Sequence, residues 1–141
     1  LQAARGIGML NYRTTAQFNT AQQDSLEELD QYRAPSYIRY QGEKLVRRFD
    51  APSYYRLTQQ LDTHHIGRGR GGTQHALASL QINTLVLGFD SDVLIPITVQ
   101  QSLTDALPSG RLKVLQSAFG HDGFLLEYEQ ITKEILEFYH A

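Results

Sequence analysis

Thr84-Leu85-Val86-Leu87 is an uninterrupted apolar run that ends at Gly88. Strands that read as continuous apolar runs suit parallel sheets covered on both faces. A second strand is expected at Arg111–Leu115, after a helical segment from Pro96 to Leu107 and a Pro108-Ser109-Gly110 turn. Val99, Leu103 and Leu107 are the expected inward residues of that helix. Phe124, Tyr128, Ile131, Ile135 and Phe138 then step by four, three, four and three, the spacing of one amphipathic helix. Strand, helix, strand, helix implies α/β architecture with a parallel sheet. Two strands make a poor sheet alone, so this half calls for further strands beside it.

Residues 1–81 have another texture, rich in Gln, Arg and Tyr and without a convincing strand. Short helices are expected over Ala3–Asn11, weakened by Gly6 and Gly8, and from a Thr14 or Thr15 cap to Gln22. Residues 23–34 read as a polar, acidic loop, and Pro35-Ser36 opens a helix with Ile38, Leu45 and Phe49 on one face. Asp50-Ala51-Pro52 is a stop and restart, an N-cap acid followed by proline in the first turn. Tyr54, Leu57, Thr58 and Leu61 form the stripe of the next helix, and residues 74–81 suit one more short helix.

Several function classes fall away on composition. The chain has 141 residues, net charge −2 and no cysteine, which removes disulfides and thiolate metal sites and argues against a dedicated nucleic-acid binder. No apolar run approaches the roughly 18 residues of a membrane span, and no signal peptide is visible, so a cytoplasmic setting is expected. The chain starts at Leu1, with Met9 its only methionine, and is therefore expected to be a piece of a longer protein. Charge is uneven: residues 33–72 carry eight Lys/Arg against three Asp/Glu, and residues 73–141 three against eight. Such runs usually form solvated faces, and the sharper alternative is a basic surface near a polyanionic cofactor.

Gly67-Arg68-Gly69-Arg70-Gly71-Gly72 matches G-x-G-x-x-G formally, but a dinucleotide site needs a strand before it and a helix after it. A helix precedes it here, and a flexible loop is the expected reading. One Arg-Gly copy is weak ground for RNA binding. His64 and His65 are adjacent rather than on one helical face, so no metal site is expected.

Reactive groups of open parallel sheets gather at the carboxyl ends of strands. Asp92 lies just past the first strand, within Gly88-Phe89-Asp90-Ser91-Asp92-Val93-Leu94-Ile95-Pro96, and His121 just past the second, within Gly120-His121-Asp122-Gly123-Phe124. Acid before base fits the last two members of the Ser, Asp, His order of α/β-hydrolases. His would take a proton from a hydroxyl near neutral pH, and a buried carboxylate would fix its tautomer. Asp90 competes for the acid role. Asp92 is preferred because Pro96 follows it by four, a common form of this turn. No serine sits in Gly-x-Ser-x-Gly: Ser36, Ser53, Ser79, Ser102 and Ser117 all lack the small neighbours of a nucleophile elbow, which is expected upstream of Leu1.

These residues, with Leu10-Asn11-Tyr12-Arg13, Tyr40-Gln41-Gly42-Glu43-Lys44 through Arg48-Phe49-Asp50, and the glycine run, resemble the C-terminal part of the homoserine O-acetyltransferase family. These are α/β-hydrolase-fold acyltransferases of methionine biosynthesis. The resemblance implies a helical lid over residues 1–75, which also forms a homodimer contact, and the last two parallel strands and helices of the hydrolase core over residues 76–141. It implies Asp92 and His121 as triad acid and base, with Arg5 and Tyr12 on the first lid helix and Asp122 as substrate-binding residues. Seven residues apart, Arg5 and Tyr12 can share a helical face. L-homoserine and acetyl-CoA would be the substrates, with no bound cofactor. Another acyl acceptor or donor, simple ester hydrolysis, or a non-catalytic dimerisation module remain open at this point.

Overall fold

A computed structural model describes residues 1–25 and 32–140. Part of the expected 23–34 loop, residues 26–31, lies outside the described residues. The chain divides into two compact units, Leu1–His64 and His65–Ala141.

The first unit is helical: α1 (Gln2–Tyr12), α2 (Thr15–Ala21), α3 (Arg33–Val46) and α4 (Ala51–Thr63). Thr14 caps α2 by accepting from the Gln17 N–H. Helix α3 starts two residues before the expected Pro35 and stops at Val46, leaving Phe49 beyond its end. Helices α1 and α3 pack together. A Cβ on Gly6 would stand 2.9 Å from Ile38 Cγ2, and one on Gly42 would stand 3.0 Å from Gln2 Cβ. Gly6 thus weakens α1 locally but lets the two backbones approach, and Met9 and Leu45 are buried. Asp50 caps α4 as expected: Oδ1 accepts from the Ser53 N–H and Oδ2 from the Ser53 hydroxyl, each at 2.8 Å. That backbone N–H, and then the hydroxyl, hold the Asp50 carboxyl below its usual value of 3.8. Of the expected α4 stripe, Tyr54 and Thr58 are half-buried while Leu57 and Leu61 are exposed.

In the second unit the glycine run is a closed turn. The Arg70 and Gly72 N–H groups both donate to the Gly67 carbonyl, and Gly69, Gly71 and Gly72 have positive φ. A Cβ on Gly67 would lie 2.2 Å from Gly72 C, so only glycine fits there. Helix α5 (Thr73–Ala78) follows, and its Ala76 and Leu77 are buried.

Strand β1 (Thr84–Phe89) then pairs in parallel with β2 (Gly110–Leu115), in register from Thr84 opposite Gly110 to Phe89 opposite Leu115. The connection between the two strands carries α6 (Ile97–Asp105). Its buried residues are Gln100 and Thr104, whereas Val99 and Leu103, expected inward, are 58% and 41% exposed; only Leu107, just past the helix, is buried as expected. The reason lies at Gly88, where a Cβ would come within 2.7 Å of Gln100 Oε1. The missing side chain lets the Gln100 face of α6 close on the strand end.

The expected single C-terminal helix is divided. A 3-10 turn at Gly120–Asp122 leads into α7 (Gly123–Leu126), and Glu127 (ψ 42°) breaks the path before α8 (Tyr128–His140). Two anchors explain the break. Gly123 sits against Phe89, where a Cβ would be 2.9 Å from the ring, while α8 is tied to β2 by Lys113–Glu134 at 3.1 Å and by Arg111 over the Phe138 ring. No described large side chain is fully buried, and Leu85, Val86 and Leu87 are only half-buried on a sheet of two strands.

Candidate active site at the strand ends

Parallel pairing puts the carboxyl ends of β1 and β2 side by side, and the segments leaving them meet. Asp92 Oδ2 lies 2.9 Å from His121 Nδ1. The other oxygen, Oδ1, accepts from the Leu94 N–H at 2.8 Å and the Ile95 N–H at 3.0 Å. Asp92 is buried, with 5% of its side chain exposed, against 22% for His121. A carboxylate whose one oxygen accepts two backbone N–H groups is fixed in direction, with its other oxygen turned to the imidazole. A proton on Nδ1 facing that oxygen leaves the lone pair of the imidazole on Nε2, the tautomer a general base needs.

Asp90 has a different part. Its Oδ1 accepts from the Ser117 N–H at 3.0 Å, pinning the two strand ends together, and it does not reach His121. Between the two acids, the Ser91 hydroxyl donates to the Ser117 carbonyl and accepts from the Gly120 N–H at 3.0 Å. Gly120 has φ +65°, which turns the chain so that the next residue, His121, faces Asp92. Three consecutive residues thus reach from the first strand end to the second. Behind Asp92, the buried Gln100 amide donates to the Ile95 carbonyl at 2.8 Å and so holds the loop whose N–H groups the carboxylate accepts.

A mostly apolar hollow of about 300 Å³ opens beside the pair, lined among others by Val86, Phe89, Ile95, Leu103 and Phe124. The Phe124 ring sits edge-on to His121, with centroids 5.3 Å apart. Asp122 is half-buried next to His121. In the other unit, the Arg5 guanidinium lies over the Tyr12 ring, 5.4 Å from its centroid, so these two do share one face of α1. Sequence reasoning missed Ser91 and Gln100. The signal for Gln100 was available in its spacing from Thr104, a polar pair one turn apart on a helix read for its apolar residues. Among the described residues no group of three or more His, Asp or Glu could hold a metal.

The two parallel strands with their helices, carrying an acid and a base at their ends, are part of an α/β-hydrolase fold. Homoserine O-acetyltransferase from Bacillus anthracis superposes with a TM-score of 0.83 over 98% of this chain and 40% of that one, at 19% identity. MGS-M2, an alpha/beta hydrolase enzyme from a deep-sea metagenome library, does so at 0.58 over 99% and 46%, at 20% identity. In sequence the chain resembles curated homoserine O-acetyltransferases: it is 42% identical to that of Cyclobacterium marinum over 99% of its length and 42% identical to that of Chloroherpeton thalassium over 98%. It spans about 40% of the first relative and 36% of the second. No family model matches the chain.

Proposed function

We propose that this chain supplies the acid and base of an acyltransferase that moves an acetyl group from acetyl-CoA to the hydroxyl of L-homoserine, a step of methionine biosynthesis in the cytoplasm. The observation that carries the reading is the 2.9 Å contact between Asp92 and His121 at adjacent strand ends, in a chain similar throughout to homoserine O-acetyltransferases. The nucleophilic serine lies outside the chain.

In this mechanism His121 Nε2 takes the serine proton as the hydroxyl oxygen attacks the thioester carbonyl. The tetrahedral intermediate collapses, the carbon–sulfur bond breaks, and the CoA thiolate takes the proton from the imidazolium. Homoserine then enters the acyl-enzyme. His121 accepts its hydroxyl proton, the oxygen attacks the acyl carbon, and collapse returns the proton to serine while O-acetylhomoserine leaves. Asp92 stabilises the imidazolium in both halves. Arg5 forks onto the substrate carboxylate with Tyr12 packed under its guanidinium, and Asp122 receives the ammonium group. The helical lid makes a homodimer contact.

Grafting this chain in place of the matching stretch of the Cyclobacterium marinum enzyme tests the reading. The graft should acetylate homoserine from acetyl-CoA in preference to serine as acceptor, succinyl-CoA as donor, or water. A folded graft that only hydrolyses esters would overturn it.

A further inference from the structure

The polar side chains buried among the described residues are those of Asp92, Gln100 and Thr104. All three belong to one chain of contacts. The Thr104 hydroxyl donates to the Gln100 carbonyl at 2.8 Å, one helical turn back. The Gln100 side-chain amide donates to the Ile95 carbonyl, also at 2.8 Å. The N–H of the same Ile95 donates to Asp92 Oδ1 at 3.0 Å, and Asp92 Oδ2 meets His121 Nδ1. Ile95 is thus held at both backbone groups by buried side chains. Little packing holds this loop otherwise, since Val93, Leu94 and Ile95 are all exposed. A buried amide is costly unless it is bonded, and an apolar side chain of the same length would fill the space beside Gly88 without that cost. Packing alone therefore does not call for glutamine at position 100, whereas a carbonyl that must be held does.

We infer that Gln100 is a positioning residue of the reaction: through the Ile95 backbone it fixes Asp92 in the orientation that sets Oδ2 on His121 Nδ1. It acts through Asp92 and does not itself touch the reacting atoms. The bare backbone of Gly88 is its seat, because a Cβ there would come within 2.7 Å of Gln100 Oε1. The acid is therefore aimed from α6 as well as from the end of β1. The identity of the substrates rests on the acyl-transfer reading above; the positioning of the acid rests only on Asp92 and His121 working as a pair.

Gln100→Met in the graft keeps the side-chain length and removes the donor. It should lower kcat by about 10–100-fold, the range that a misplaced catalytic group costs, with KM for each substrate within about twofold. Gln101→Met is the control. Its amide bonds Asp105 on the exposed side of α6, and kcat should stay within about twofold. In an Asp92→Asn background, Gln100→Met should cost less than about twofold more, because the group it aims is no longer the acid. A purely structural role would multiply the two losses. If the Met variant does not fold, Gln100→Asn, too short to reach the Ile95 carbonyl, takes its place in the same comparisons. Unchanged kcat, a raised KM with kcat intact, or multiplying losses would overturn the positioning role. A graft that hydrolyses an activated acetyl ester without acetylating homoserine would sink the acyl-transfer reading, and the same comparisons on the ester would still decide the role of Gln100. A folded graft inactive toward both would overturn both.

Discussion

Asp90 and Asp92 are two residues apart, chemically identical, and differently employed. Asp92 faces His121, while Asp90 holds the Ser117 N–H. In the grafted enzyme, Asp92→Asn should lower kcat by up to about 10⁴-fold, because the amide presents the wrong group to Nδ1 and leaves the imidazolium unsupported. Asp90→Asn keeps an acceptor oxygen for Ser117 and should cost far less; steady-state kinetics on both variants decides, and the reverse order would transfer the acid role to Asp90. Ser91→Ala removes both hydroxyl bonds that tie the acid segment to the His segment. It is expected to lower kcat with little change in KM, with partial rescue by Ser91→Thr. Equal kcat for Ser91→Ala would show that the other contacts suffice.

At the scale of elements, the sequence is legible where local chemistry decides. The Thr14 and Asp50 caps, the strand-turn-helix order and the strand-end residues all follow from capping, apolar runs and turn residues. Orientation is less legible. Periodicity cannot tell which face of α6 meets β1, because that depends on the absent side chain of Gly88. Nor does it show that one apolar stripe is shared by α7 and α8, since the break at Glu127 comes from two separate anchors. Gly88→Ala should therefore cost about 1–3 kcal/mol by crowding Ile97 and Gln100, seen as a lower melting temperature. A neutral substitution would mean that α6 does not close on Gly88. The Asp50 cap predicts a pH dependence. Its carboxyl titrates lower when folded, so its stabilisation is present above the ordinary value of 3.8 and lost as pH falls through the lower folded value. The melting difference between the unaltered chain and Asp50→Ala should be larger at pH 6 than at pH 2, and a difference independent of pH would contradict the cap's charge.

At the scale of the whole molecule, the second unit holds a site but little core. Two strands leave Val86 and Leu87 half-buried, and Leu103 and Phe124 exposed beside the acid–base pair. Exposed apolar surface of this kind marks an interaction face. The remaining stretch of a homoserine O-acetyltransferase, added as a separate chain, should raise the melting temperature, as any partner that binds only the folded state does. No rise at saturating concentration would argue against that fit. The central claim is that Asp92 and His121 act as one catalytic unit, and a double-mutant cycle on kcat in the folded graft tests it most directly. If Asp92 acts in catalysis through His121, the Asp92→Asn/His121→Ala double variant should be no slower than His121→Ala alone. Multiplying losses, or near-normal turnover by either single variant, would contradict it.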